Sequence, residues 1–92
     1  MPRFLIEVPH DSNRLACARV VETFLKTGSH WVTQTEWGCK DGNHKAWIIV
    51  DVESKDAARQ VVPVPFRKDA TITGLNRYTM EEIEPVLRDH PR

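Results

Sequence analysis

Hydrophobic positions along the chain alternate in some stretches and recur at helical spacing in others. Phe4-Leu5-Ile6-Glu7-Val8 reads as a strand stopped by Pro9, which has no amide hydrogen for a sheet ladder. Asp11-Ser12-Asn13 offers side-chain oxygens to cap a helix, and Cys17, Val20, Val21 and Phe24 then recur at helical spacing. Gly28 supplies the stop. His30–Trp37 and His44–Val52 read as two strands of a hairpin around Asp41-Gly42, a pair that tolerates the positive φ of a tight turn. Ser54 caps a second helix over Lys55–Val62, which Pro63 and Pro65 end. Ala70–Tyr78 is a fourth strand, and Thr79-Met80-Glu81-Glu82 has the capping-box form of a short last helix, disturbed at Pro85. His90-Pro91-Arg92 is expected to fray.

This order predicts an α+β fold of the ferredoxin-like βαββαβ type. Right-handed crossovers favour an antiparallel sheet in the order 4-1-3-2 with two helices on one face. Residues 1–92 form one domain, because a second core does not fit in so short a chain, and residues 79–92 form a C-terminal helical tail. Neither repeats nor a linker are evident.

Parity sorts the side chains of each strand between the two sheet faces. Ala46, Ile48, Val50 and Val52 are uniformly aliphatic and belong under the helices, together with Phe4, Ile6 and Val8. The odd positions Trp31, Thr33, Thr35 and Trp37 then share the opposite face with Lys45, Trp47, Ile49 and Asp51. If Trp37 pairs with Lys45, all three tryptophans gather there. Such a face is too apolar to leave in water, and a second copy stacked on it yields a homodimer or higher homo-oligomer. A cavity between the two sheets is the expected small-molecule site, with Trp31, Thr35, Trp37, Trp47 and Asp51 as substrate-binding residues.

Composition narrows the partners. Thirteen basic and thirteen acidic residues cancel, so no net field favours nucleic acid or anionic lipid. The first apolar run is too short for a signal peptide or membrane span. Two cysteines are no disulfide framework, which fits a reduced, cytoplasmic protein.

Three chemistries arise from the residues. Glu7, at the end of the first strand, approaches Lys45 and Trp47, with His10 just beyond. A carboxylate among rings, partnered by Lys45 or His10, is a candidate general acid or base for proton transfer. The plain alternative is a Glu7–Lys45 cross-strand ion pair. Cys39, Asp41 and His44 surround one loop, and Cys-x4-His is a workable spacing for zinc or copper. Only Glu36 or a residue of another chain is in view as a fourth ligand, and the alternative is a turn made by Asp41-Gly42 with incidental neighbours. Cys39 as a nucleophile beside Lys40 or His44 lacks an orienting third group. Cys17, on the apolar helix stripe, is assigned to the core. No cofactor is expected, with a metal at Cys39, Asp41 and His44 as the alternative. The runner-up to an enzyme is a non-enzymatic ligand- or metal-binding or structural dimer.

The chain resembles the dimeric α/β-barrel superfamily, in which two ferredoxin-like subunits enclose pockets. Ala46-Trp47-Ile48-Ile49-Val50-Asp51-Val52-Glu53-Ser54, followed by an alanine-containing helix, is similar to a segment of muconolactone isomerases, as is Pro63-Val64-Pro65-Phe66 before the last strand. The resemblance implies the dimeric barrel and an isomerase- or monooxygenase-like activity, but supplies no catalytic residue position by position. Haem-degrading members place an iron-binding histidine on the second helix, and Lys55–Val62 contains none.

Overall fold

A computed structural model describes residues 1–90, so the expected frayed end at Pro91 and Arg92 lies outside the described residues. The elements are β1 (Arg3–Pro9), α1 (Arg14–Thr27), α2 (His30–Thr33), β2 (Glu36–Trp37), β3 (Lys45–Asp51), α3 (Lys55–Val61), β4 (Thr71–Leu75) and α4 (Met80–Asp89). Short 3-10 turns occupy Cys39–Asp41 and Val64–Asp69. The fold is α+β around a four-stranded antiparallel sheet in the order β2-β3-β1-β4, the predicted order read from the other edge.

Capping follows the sequence. The side chains of Asn13, Ser54 and Thr79 accept from the amides of Ala16, Ala57 and Glu82, so each helix start has one of its free amides satisfied. Gly28, at φ 74°, ends α1 in the left-handed region. α4 continues through Pro85 to Asp89, further than the proline suggested.

The core forms where parity placed it. Phe4, Ile6 and Val8 of β1 and Ala46, Ile48 and Val50 of β3 are buried with Val20 and Phe24 of α1, Ala58 of α3 and Ile72 of β4. β1 and β3 lie in register over seven pairs, from Arg3 opposite Asp51 to Pro9 opposite Lys45. Burying large aliphatic side chains of this kind contributes about 1.5–3 kcal/mol each before entropy is subtracted.

The second predicted strand is corrected. Residues 30–33 form α2, and only Glu36 and Trp37 pair with β3. Local hydrogen bonds explain the change: the Ser29 side chain accepts from the Trp31 amide, and the Thr33 and Thr35 hydroxyls donate to the carbonyls of His30 and Val32. These bonds offer the backbone an alternative to a ladder. The final strand likewise ends at Leu75 rather than Tyr78.

The hairpin register is also corrected. Trp37 lies opposite Ala46 and Glu36 opposite Trp47, one residue away from the expected Trp37–Lys45 pairing. Such a slip moves every side chain of the strand to the other face. The cause lies in the connection, where Gly38 donates to the Lys45 carbonyl and its own carbonyl accepts from Asp41 and Asn43. Trp37 therefore turns to the helix side and meets Phe24 edge-on, with ring centroids 5.0 Å apart.

Candidate metal centre

The ladder of β1 and β3 runs one step beyond its last paired residues, with the His10 amide donating to the His44 carbonyl at 3.1 Å. His10 has the parity of Ile6 and Val8, so its ring turns to the helix side of the sheet. The chain then enters α1, whose first turn carries Cys17 back over the same end of the sheet. Cys39 opens the 3-10 turn after β2, and His44 immediately precedes β3. Three stretches of chain thus deliver four potential ligands to one place.

The donor atoms converge closely. Nε2 of His10 is 3.2 Å from Sγ of Cys17 and 3.1 Å from Sγ of Cys39, while Nδ1 of His44 is 3.4 Å from Sγ of Cys17. All four donors lie within 4.8 Å of one another. Tetrahedral zinc, with bonds of about 2.3 Å to sulfur and about 2.0 Å to nitrogen, spaces adjacent donors by roughly 3.5 Å. Most of that geometry already exists, and the wider separations need shifts on the order of 1 Å. Each of the four residues is partly exposed.

Hydrogen bonding alone satisfies this cluster poorly. One imidazole nitrogen forms one good hydrogen bond, yet two thiols crowd Nε2 of His10. Nδ1 of the same ring is buried without a hydrogen-bond partner. Packing fixes the ring instead: Trp37 and His44 meet it edge-on at 5.9 and 5.7 Å. Burial lowers the pKa of His10, helped by the neighbouring His44, so the ring favours the neutral form that a metal requires. Burial raises the pKa of the Cys17 thiol, and the nearby Cys39 adds to the effect. Both cysteines are free thiols.

The predicted site residues separate. Cys39 and His44 belong to the cluster, whereas Asp41 does not. His10, expected as a proton-transfer partner, joins them, and Cys17, assigned to the core, completes the set. Glu7 faces the other side of the sheet, where its Oε1 accepts from the Trp47 indole at 3.0 Å. Lys45 lies opposite Pro9, and no ion pair joins it to Glu7 among the described residues. Glu7, His10 and Lys45 therefore do not form one constellation.

The five substrate-binding candidates also scatter. Trp31 sits on α2 stacked on His30 at 4.3 Å, Thr35 bonds back to Val32, and Trp37 packs into the core. Trp47 and Asp51 keep the predicted open face, but Asp51 pairs with Arg3 at 3.1 Å. Trp31 instead lines a groove of about 900 Å³ with Val52, Val61 and Pro65. A second groove, of about 920 Å³, runs along Val21, Leu25 and Trp37 and is bounded by Cys17 and Cys39.

Comparison with protein families, curated proteins and solved structures finds no match. Among the described residues, no helix is long and apolar enough to cross a membrane.

Proposed function

We propose that this chain is a transition-metal-binding protein whose site is made by His10, Cys17, Cys39 and His44. The observation that carries the reading is the convergence of two imidazole nitrogens and two sulfurs from separate stretches of chain within 4.8 Å. Two thiolates and two imidazoles suit zinc, and copper(I) is the natural competitor for the sulfur pair. This takes up the metal-binding alternative of the sequence reading, with a different ligand set, in place of its cofactor-free expectation.

With four protein ligands no coordination position is left for substrate, so the chemistry of the site is structural. The metal ties the end of β1 to the first turn of α1 and to the β2–β3 connection. A domain of this size gains much from such a staple, because its core alone is small. The test is native mass spectrometry with elemental analysis of untagged, zinc-loaded protein. One zinc per chain, lost in Cys39→Ser, is the expected result; a chain that stays metal-free in excess zinc rejects the reading.

The proposal of a homodimer enclosing a small-molecule cavity, as in a dimeric α/β barrel, keeps separate support. Leu5, Trp47 and Leu75 lie partly exposed on the helix-free face beside Ile49, which is 60% exposed. A second copy covering that face buries these side chains, and its formation does not require the metal site.

A further inference from the structure

We propose that Cys17 and Cys39 form a disulfide on exposure to a hydroperoxide and that its formation ejects the metal. This deepens the reading of the cluster as a metal centre and rests on it. The two sulfurs belong to different elements, yet both stand within 3.2 Å of the same nitrogen of His10. They lie within 4.8 Å of each other before any rearrangement. No other cysteine exists in the chain, so each sulfur has a single intramolecular partner.

Access comes from the groove along Val21, Leu25 and Trp37, whose wall both cysteines share. A hydroperoxide is small and carries no charge, so an apolar approach does not exclude it. Metal coordination keeps the sulfurs as thiolates, which is the form that attacks peroxide.

The step balances. One thiolate attacks a peroxide oxygen, forming a sulfenic acid as the O–O bond breaks and hydroxide leaves. The second thiolate attacks that sulfur, forming the S–S bond and expelling a second hydroxide. Two thiolates and one hydrogen peroxide thus give one disulfide and two hydroxides, the sulfurs losing the two electrons that the peroxide gains. The metal then retains only His10 and His44, half of a tetrahedral set, and dissociates.

The test uses the full-length, untagged, zinc-loaded chain. Zinc is first confirmed by native mass spectrometry; hydrogen peroxide is then added while a chromogenic chelator reports free zinc and intact mass is followed. The expected result is release of one zinc per chain, with the mass of a chain that has lost two hydrogens and a peptide map joining Cys17 to Cys39. Reduction with dithiothreitol in the presence of zinc restores the bound form. Zinc that stays bound under peroxide overturns the proposal while leaving the metal site standing. So does release accompanied by oxygen-adduct masses or by disulfides between chains. A chain that takes up no zinc at the first step overturns both readings.

Discussion

The His10 amide donates to the His44 carbonyl at 3.1 Å, one step past the last residue pair of the β1–β3 ladder. That bond holds the two imidazoles together at the end of the two central strands, their rings edge-on at 5.7 Å, so the ligand pair exists before any ion arrives. Preorganisation of this kind removes part of the ordering cost of binding. Zinc is therefore expected to raise the melting temperature of the apo protein and chelator to reverse it, by the mass-action link between binding and folding. At a free zinc concentration about 100 times Kd the gain is about 2.7 kcal/mol. Cys17→Ser and His44→Ala each abolish the zinc-dependent part in a thermal melt. Asp41→Ala, outside the cluster, keeps it, and equal loss in all three variants counts against the assignment.

Proton competition gives a second expectation. Because the Cys17 thiol is raised, it carries its proton at neutral pH and must release it when metal binds. His10, lowered, is already neutral there and surrenders none. Apparent zinc affinity therefore rises with pH through the neutral range, by about tenfold per pH unit for each proton displaced. Competition titrations against a chelator of known pH behaviour measure that slope. A flat profile between pH 6 and about 8 contradicts thiolate ligation.

How much of this was legible in the sequence depends on how local each signal is. The β1–β3 pair was readable because Phe4, Ile6 and Val8 of one apolar run and Ala46, Ile48 and Val50 of the other share one parity, while Glu7, Lys45 and Asp51 fall on the other and mark it as the less buried face. The stretch around Trp31 was not, because Ser29, Thr33 and Thr35 satisfy backbone groups locally, and composition does not reveal that competition. Cys39 and His44 were visible as a spaced pair. His10 and Cys17 each had an ordinary reading alone, in a loop and on an apolar stripe. Their meeting depends on the β1–β3 register, and setting Pro9 opposite Lys45 would already have brought His10 to His44.

Gly38 is the tightest point of the β2–β3 connection. A Cβ there would come within 2.6 Å of the Trp47 ring and 2.5 Å of the Asn43 carbonyl. Gly38→Ala is expected to destabilise the protein by about 1–3 kcal/mol in urea unfolding, the usual cost of forcing an atom into filled space. Because the neighbouring Cys39 moves with the connection, zinc affinity should fall with it. Trp47→Leu in the same chain recovers part of the loss, since it relieves the ring but not the carbonyl. Wild-type stability in Gly38→Ala would show that the connection has slack.

Arg67 lies in the 3-10 turn that follows α3, and its guanidinium donates to the Val62 carbonyl at 2.7 Å and the Gln60 carbonyl at 3.0 Å. These carbonyls close the end of α3, where helical partners run out. Arg67→Ala should cost about 1–3 kcal/mol, the range for losing partners of partly buried polar groups. Arg67→Lys should recover little, because an ammonium lacks the planar fork that reaches both carbonyls. Lys68→Ala, at an exposed neighbour, serves as the control and should stay within about 0.5 kcal/mol of wild type.

The helix-free face supplies the last prediction. Leu5 and Ile49 are directly opposite in the ladder, and Thr73 flanks Leu5 on the other side, so the apolar part of this face is continuous at its centre. Arg3 and Asp51 pair at one end of it and Glu7 accepts from the Trp47 indole towards the other, so Leu5 and Ile49 lie between these charges and carry none themselves. Charge-depleted centres with polar rims are the common anatomy of an interface between copies. Wild-type protein is expected to run as a dimer in light scattering at micromolar concentration, and Ile49→Asp as a monomer, because an unpaired carboxylate at the centre of a buried face is expensive. Zinc content should be unchanged in Ile49→Asp, since the metal ligands lie on the opposite side of the sheet. A wild-type monomer would remove the dimeric barrel as a proposal for this chain, while a dimer that survives Ile49→Asp would move the interface elsewhere.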